Sequence, residues 1–395
     1  MDDDPQHRAD HATVGSMDDD PQRRAEAVPA ATRSGVGSPD DVTKGGPPRR
    51  GAPSDIGDAG SRSSSGEHET TSVGAALRDT EKRLEAAGIE GARFESTLLL
   101  GHVLGLTRAQ LIASLSDPLS GDQARELAAL AARRAAREPL QYLRGLAPFL
   151  DFELEVHPGV FIPRPETEQL VDKALELWDP AAGRWAVDVG TGSGAIAIGL
   201  ARARPEGRVL AIDRNPIALT TARRNAERLG VADRISFVRG DLLASLCSSR
   251  FDREKQEAAV AVAPSRSPRA VSPDQASVAE TTVAPAEAIG IIVANPPYVV
   301  AGDEVDPEVR DHEPHEAWAA GPTGLEAYER IIPAAVLLPP GRWLVLELGY
   351  GQQGAVSALL ADCGDWDEPT LVPDFHGIPR VLAARRAGRV GPHLP

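Results

Sequence analysis

The sequence feature that most constrains the fold is an alternation of short apolar runs and helical stretches that begins at Trp185. The apolar runs indicate buried strands, and the stretches between them show the 3.6-residue spacing of helices. Strands are predicted at 185–189, 208–213, 235–240, 289–294 and 343–348, helices at 195–204, 216–229, 324–338 and 351–362, and two further strands at 370–372 and 380–383. This alternation predicts an α/β, doubly wound parallel sheet that binds ligands at the carboxyl ends of its strands.

A glycine-rich loop follows the first predicted strand and consists of Gly190, Thr191, Gly192, Ser193 and Gly194. Its glycines let the backbone turn tightly and approach a ligand closely. The Gly-Lys-Ser/Thr ending of a Walker phosphate-binding loop is missing. The next predicted strand ends in a carboxylate, Asp213, which is placed to accept hydrogen bonds from both hydroxyls of a ribose. The pattern predicts a nucleotide-sized cofactor and by itself leaves NAD and S-adenosylmethionine open.

The tetrapeptide Asn295-Pro296-Pro297-Tyr298 follows the strand at 289–294. The Asn295 side-chain oxygen and the Pro296 carbonyl can accept both N–H groups of a planar amide, because the prolines bring no competing N–H. Tyr298 can pack against that planar group. An amide nitrogen is a poor nucleophile, so the chemistry needs positioning beside an activated methyl donor. The motif therefore favours S-adenosylmethionine over NAD and predicts Asn295, Pro296 and Tyr298 as catalytic residues, with Pro297 joining them in substrate binding.

These motifs resemble those of the release-factor glutamine methyltransferase family. The family's class I enzymes N5-methylate the glutamine of the Gly-Gly-Gln motif in peptide chain release factors. The resemblance covers roughly residues 72–386 without 248–287, and rests on 161–168, 190–194, 213–216, 224–226, 240–242 and 295–298. The stretch 163–168, Pro-Arg-Pro-Glu-Thr-Glu, discriminates best, because nucleic-acid amino methyltransferases share Asn-Pro-Pro-Tyr but typically not this stretch.

The resemblance implies a class I methyltransferase (Rossmann-like) fold, S-adenosyl-L-methionine as cofactor and release factors as partners. The cofactor-binding residues that it implies are Gly190, Thr191, Gly192, Ser193, Gly194, Asp213, Leu242 and Asn295. Leu242 departs from the aromatic residue often found at its position. Its contact with the adenine would therefore be apolar rather than stacked.

Composition suggests how the remaining chain is divided. Residues 1–70 are rich in Asp, Pro, Gly, Ser and Arg, which predicts a disordered leader. Residues 71–140 predict a small all-helical domain, which the resemblance implies is used to recognise the release factor. Residues 141–390 are the predicted methyltransferase domain, interrupted at 248–287 by a segment rich in Ser, Ala, Pro and Glu that we expect to be a disordered insertion.

The charge balance argues against broad nucleic-acid binding. The formal net charge is −16, whereas nucleic-acid binding needs a basic footprint. The two cysteines lie outside any metal-ligand spacing, so we expect no metal site and a cytoplasmic location. No apolar run reaches membrane-spanning length and no signal region opens the chain, so we also expect no membrane association. We further expect a monomer.

Three alternatives stay open from the sequence. A glutamine methyltransferase acting on a ribosomal protein would carry the same motifs. A DNA or RNA amino methyltransferase would need a basic face or an added recognition domain, against which the acidic balance argues. A cofactor-binding module without catalysis would have no use for an intact Asn-Pro-Pro-Tyr.

Overall fold

The computed structural model describes residues 71–247 and 284–388. The predicted leader at 1–70, and all of the predicted insertion except its last four residues, lie outside the described residues and stay predictions. Within the described ranges, no helix is both long enough and apolar enough to cross a membrane.

The described chain begins with five helices, α1 (Val73–Ala86), α2 (Ala92–Leu104), α3 (Arg108–Ala113), α4 (Gly121–Ala135) and α5 (Leu140–Arg144). Ser72, Thr107 and Ser120 accept backbone hydrogen bonds at the starts of α1, α3 and α4, as expected of N-caps. Gly88, with a φ of 69°, follows the end of α1. Leucines from these helices form a separate apolar core. The predicted small helical domain is confirmed; α5, with five residues, was too short to predict.

A hairpin and one helix lead into the main sheet. Strand β1 (Leu146–Phe149) pairs antiparallel with β2 (Phe152–Glu155), and α6 (Glu166–Leu177) follows. The helix begins after Pro165, with two glutamates in its first turn, as the sequence predicts. Strand β1 was not predicted, because four residues that include a proline show no clear alternation.

The rest of the chain alternates strand and helix as predicted. Its elements are β3 (Trp185–Val189), α7 (Ala195–Ala203), β4 (Arg208–Asp213), α8 (Pro216–Arg228), β5 (Ile235–Arg239), α9 (Ala244–Cys247), β6 (Ile289–Ala294), β7 (Val299–Val300), α10 (Pro307–His312), α11 (His315–Trp318), β8 (Ala319–Gly321), α12 (Glu326–Ala334), β9 (Trp343–Glu347), α13 (Gln353–Cys363), β10 (Thr370–Pro373) and β11 (Pro379–Arg385).

Seven strands form the main sheet in the order β10-β11-β9-β6-β3-β4-β5. Strands β3, β4, β5, β6 and β9 are parallel, whereas β11 runs antiparallel to both β9 and β10. The order reverses between β3 and β6, and such a reversal opens a crevice at the carboxyl ends of the two strands.

Both faces of this sheet are covered, which confirms the doubly wound fold. Helices α6, α7 and α8 pack on one face, over a core that includes Leu170, Ile198 and Ala222. Helices α12 and α13 pack on the other, where Tyr328 and Val356 are buried. Strands in the middle of such a sheet have two buried faces, which explains their continuous apolar runs.

The segment 299–321, between β6 and α12, was not predicted in any detail. It contains β7 and β8, which pair with each other outside the main sheet, and the short helices α10 and α11. Each element has six residues or fewer, which is too short for a hydrophobic period to be recognised.

One buried cation connects the helical domain to this segment. The Arg134 guanidinium on α4 donates to Glu95 through Nε and Nη2 at 2.5 and 3.1 Å. Its Nη1 donates to Glu308 of α10 at 2.8 Å. Arg134 is only 4% exposed, so two carboxylates and their hydrogen bonds offset the cost of burying its charge.

The close packing of Gly290 in β6 gives a test of this fold. A Cβ at Gly290 would lie 2.4 Å from the Gly183 carbonyl oxygen, which also accepts the Trp178 indole N–H at 2.8 Å. Because backbone and a buried ring cannot easily yield, Gly290→Ala should lower the free energy of unfolding by about 1–3 kcal/mol in urea titrations.

The matched control is Gly354→Ala on α13, where an added Cβ meets nothing within 4 Å. This variant should be unchanged or stabilised by about 0.5–1 kcal/mol, since alanine restricts the unfolded chain more than glycine does. Equal stability of Gly290→Ala and the wild type would contradict the close contact between β6 and the turn at Gly183.

Candidate active site

The candidate active site lies at the crevice between β3 and β6. Val189 is in register with Ala294 of β6 and with Ile212 of β4, so the three strands end side by side. The residues that follow these strands line one cavity. Of the residues predicted from the sequence, those that line it are Gly190, Thr191, Gly192, Ser193, Asp213, Leu242, Asn295, Pro296 and Pro297.

Two predicted residues have other positions. Gly194 is the N-cap of α7, with a φ of 89° and only 3.1 Å between its added Cβ and that of Ala222. Tyr298 is not among the residues that line this cavity; it packs against the core beneath α12 and α13, and burial raises the pKa of its hydroxyl to about 12. Its backbone oxygen accepts the Gln352 side-chain amide at 3.0 Å. The roles predicted for both residues stay predictions.

Four of the five backbone amides of the glycine loop are used inside the protein. Gly190 and Thr191 both donate to the Ile212 carbonyl, at 2.8 and 2.9 Å. Gly192 donates to Asp213 at 2.9 Å, and Gly194 to the Thr191 carbonyl at 2.8 Å. A dinucleotide pyrophosphate is held by such amides at a helix N-terminus. These four amides are therefore not available to a pyrophosphate, and the loop provides close approach to a ligand.

Asp188 lies behind the glycine loop and supports it, a role that the sequence prediction missed. It is fully buried near the end of β3, where its Oδ2 accepts the Thr191 hydroxyl at 2.6 Å and the Ala197 amide at 3.0 Å. Its Oδ1 has no hydrogen-bond partner in the described residues. Burial raises the pKa of Asp188 to about 7, and the two hydrogen bonds oppose that shift. The only signal in the sequence was an acidic residue inside an apolar run.

The Asp188 carboxylate occupies the N-terminus of α7. It accepts the Ala197 amide in the first turn of this helix, so that amide is not available to a phosphate ligand.

Asp213 holds the glycine loop in addition to lining the cavity. Its Oδ2 accepts the Gly192 amide and its Oδ1 accepts the Asn215 amide, the latter at 2.8 Å. Burial raises the pKa of Asp213, against the effect of these hydrogen bonds. Asn215 itself caps α8 through the Ile217 amide at 2.8 Å, so Asp213 is not needed as that cap. Each carboxylate oxygen can still accept a second hydrogen bond.

Leu242 lines the cavity with a φ of 52°, in the left-handed region that is unusual for a residue with a side chain. Such backbone strain persists only where the surroundings enforce it, and it is concentrated at functional sites. Leu242 also packs against the core under α12, so its side chain provides an apolar wall.

The Asn295 side chain is held by a residue from the Pro-Arg-Pro-Glu-Thr-Glu stretch. Its Nδ2 donates to the Thr167 hydroxyl oxygen at 3.0 Å, and the Thr167 hydroxyl lies 2.8 Å from Oε2 of Glu347. Glu347 ends β9 and is 1% exposed, and burial raises its pKa to about 7. The sequence prediction missed the roles of Thr167 and Glu347, which lie in three-dimensional contact but 180 residues apart.

The same stretch is tied to the segment 299–321. Arg164 pairs with Glu313, and Oε2 of Glu313 accepts the Ile162 amide at 3.1 Å. The Arg164 guanidinium also lies 4.7 Å from the centre of the Phe161 ring. Glu313 is buried, so this ion pair fixes the chain that borders the cavity.

In the parts of the chain that the structure describes, no group of three or more His, Cys, Asp or Glu side chains has an arrangement able to hold a metal ion.

Comparison with known proteins supports a specific family. The chain is 37% identical over 314 residues to a release factor glutamine methyltransferase of Moorella thermoacetica, and this match covers 79% of the chain and 97% of the relative. It is 36% identical to a release factor glutamine methyltransferase of Geobacter sulfurreducens, over 78% of the chain and 94% of that relative. The chain belongs to the release factor glutamine methyltransferase family. Its members are named as protein methyltransferases, so the chain is an enzyme of that class.

Matches to family profiles and to a solved structure accompany these relatives. Residues 75–145 match the PrmC N-terminal domain, and residues 169–263 match a precorrin methyltransferase domain. A crystal structure of a release factor-specific protein-(glutamine-N5) methyltransferase from Alicyclobacillus acidocaldarius aligns at 25% identity with a TM-score of 0.32. That alignment covers 59% of this chain and 99% of the other.

The buried carboxylate of Asp188 should make the free energy of unfolding depend on pH. Because its pKa is raised on folding, Asp188 favours the folded state below its unfolded pKa, and this contribution is lost as the pH rises through about 7. Asp188→Asn removes the titration and should flatten the fall in unfolding free energy between pH 5 and 7 by up to about 1.4 kcal/mol per pH unit. Denaturant titrations across this range measure the slope, and parallel slopes for the two proteins would contradict the assignment.

Proposed function

We propose that this chain transfers a methyl group from S-adenosylmethionine to the side-chain amide nitrogen (N5) of the glutamine in the Gly-Gly-Gln motif of peptide chain release factors. The observation that carries the proposal is the placement of the glycine loop, Asp213 and the Asn-Pro-Pro segment around one cavity. Relatives at 36–37% identity over most of their length, named release factor glutamine methyltransferases, support the same substrate.

The cavity suits S-adenosylmethionine better than a dinucleotide. Four of the five loop amides are already bonded, and Asp188 accepts the Ala197 amide in the first turn of α7, so these groups are not available to a pyrophosphate. When bound, the cofactor supplies a methyl group on a positively charged sulfur. Asp213 would hold its ribose hydroxyls, Leu242 would contact its adenine, and the loop at 190–194 would allow its close approach.

The chain's own contribution to the chemistry is to orient the glutamine amide. The Asn295 oxygen and the Pro296 carbonyl would accept its two N–H groups, which fixes the nitrogen without an ionised base. Pro296 is buried and Pro297 half-buried, and neither brings an N–H that would compete with the substrate. A fixed acceptor pair can supply most of the rate enhancement by positioning.

The helical domain at 71–140 is the proposed recognition module for the release factor. Its buried Arg134 contacts Glu308, and so connects the module to the segment that borders the cavity. We propose a monomer that acts on protein in the cytoplasm and has no direct contact with nucleic acid, in keeping with the formal charge of −16. A ribosomal protein as substrate is the second candidate, since the same acceptor pair fits any glutamine.

Replacing Asp213 tests the cofactor site. Asp213→Ala removes the proposed ribose acceptor and should weaken S-adenosylmethionine binding by about 10- to 100-fold in calorimetry, from the ~1.5–3 kcal/mol of hydrogen bonds to a charged group. Asp172→Ala, at an exposed position on α6, is the matched control and should bind normally. Unchanged affinity in Asp213→Ala would remove this residue from the cofactor site.

Replacing Asn295 tests catalysis. Asn295→Ala leaves a substrate amide donor unpaired at a cost of ~1–3 kcal/mol and misplaces the nitrogen, so kcat should fall by about 100-fold or more, beyond any loss of cofactor affinity. Asn295→Asp keeps the shape and the acceptors, and should retain more activity than the alanine variant.

The assay uses radiolabelled S-adenosylmethionine with a release factor, with ribosomal proteins or with tRNA as separate methyl acceptors. Labelling of the release factor supports the proposal, and selective labelling of a ribosomal protein or of tRNA would replace it. Equal activity of the wild type and Asn295→Ala on a release factor would overturn the role of the Asn-Pro-Pro segment.

A further inference from the structure

We propose that Glu347, acting through Thr167, sets the direction of the Asn295 side-chain amide, so that its oxygen and not its NH2 group faces the substrate glutamine. Thr167 lines the cavity, whereas Glu347 is buried behind it and is not among the lining residues. Glu347 is therefore a positioning residue. The inference rests on the proposed function, because it concerns how that site receives an amide.

The two ends of an asparagine amide have nearly the same shape and opposite hydrogen-bonding character. A glutamine amide that donates both N–H groups needs the Asn295 oxygen. An Asn295 side chain turned by 180° would present N–H groups to N–H groups, and the substrate amide would lose its acceptor. Shape alone does not exclude the wrong orientation, so the site needs a polar contact that does.

That contact comes from the hydrogen bonds that join Asn295 to Thr167 and Thr167 to Glu347, which we call the relay. An ionised carboxylate only accepts hydrogen bonds, so the Thr167 hydroxyl must donate its single proton to Glu347, over 2.8 Å. The Thr167 oxygen is then left as an acceptor, and the group that approaches it within 3.0 Å must be the Asn295 NH2. The Asn295 carbonyl oxygen is consequently the end that is free for a ligand.

Burial of Thr167 and Glu347 disfavours the reversed orientation of the Asn295 amide. Thr167 is 3% and Glu347 1% exposed, so water is not available to satisfy a reversed arrangement. The Thr167 hydroxyl donates to Glu347 and so favours the charged form of this carboxylate. Because an ionised carboxylate can only accept, it determines which group donates in each hydrogen bond of the relay.

The relay depends on the protonation state of Glu347. A protonated carboxyl can donate to Thr167, whose hydroxyl is then free to donate to the Asn295 oxygen, and the orientation is no longer determined. Burial raises the pKa of Glu347 to about 7; Glu166 raises it further and Arg380 lowers it. The hydroxyls of Tyr298 and Tyr328 are the other titratable groups that interact with Glu347, and their pKa values are raised well away from this range.

The first test compares two replacements of Thr167. Thr167→Val keeps the shape and removes the hydroxyl, so kcat should fall by about 10- to 100-fold while the S-adenosylmethionine Kd stays within about twofold. Thr167→Ser restores the hydroxyl and should recover kcat to within about threefold of the wild type. A serine variant as inactive as the valine variant, or a fully active valine variant, would overturn the proposal.

The second test uses Glu347→Gln. Wild-type kcat should fall as the pH decreases through about 7, and the variant should have a lower kcat without this step. Asp188 titrates in the same range but lies outside the relay and is present in both proteins, so a step of unchanged size in Glu347→Gln would contradict the role of Glu347.

A third measurement does not depend on activity. In protein carrying 15N-labelled asparagine, the Asn295 side-chain signals can be assigned by their loss in Asn295→Ala. They should shift with pH around 7 in the wild type and stay fixed in Glu347→Gln. If wild type is inactive but these shifts occur, the proposed function fails and the relay stands. If wild type is active and the signals do not titrate, the relay fails alone.

Discussion

The parallel pairing of β3 with β6 is the constraint on which the rest of the site depends. These strands are far apart in the chain, and their register places Val189 beside Ala294. The loops that leave the two strands therefore start at the same edge of the sheet, on either side of the crevice where the strand order reverses. In the proposed function one loop approaches the cofactor and the other receives the substrate, and the two loops are adjacent because two apolar strands pair.

Buried carboxylates determine the chemical character of this edge. Asp188, Asp213 and Glu347 each lie at or near the carboxyl end of a central strand, and burial raises the pKa of each. Keeping acidic groups in a dry interior has a cost in stability. Here each carboxylate orders another part of the site, because Asp188 and Asp213 hold the glycine loop and Glu347 orients Asn295 through Thr167.

The helical domain is connected to the same edge by ion pairs. Arg134 joins it to Glu308 on α10, and five residues later Glu313 pairs with Arg164 and accepts the Ile162 amide. The short segment between β6 and α12 thus contacts both the helical domain and the Pro-Arg-Pro-Glu-Thr-Glu stretch. A partner bound by the helical domain would act on elements that already border the cavity.

The sequence by itself determined the sheet, its helices and the main motifs. Strands such as 185–189 and 289–294 were predicted to the residue, because a strand buried on both faces is a continuous apolar run that ends where turn residues begin. Only the tertiary structure decided how Asn295 is oriented and which neighbours Asp188 has. Thr167 and Glu347 each look ordinary in their own helix or strand, and their hydrogen bond exists only because folding closes a separation of 180 residues. Hydrophobic periodicity in the sequence indicates which residues are buried. The direction of a hydrogen bond instead depends on partners that only the folded chain brings together.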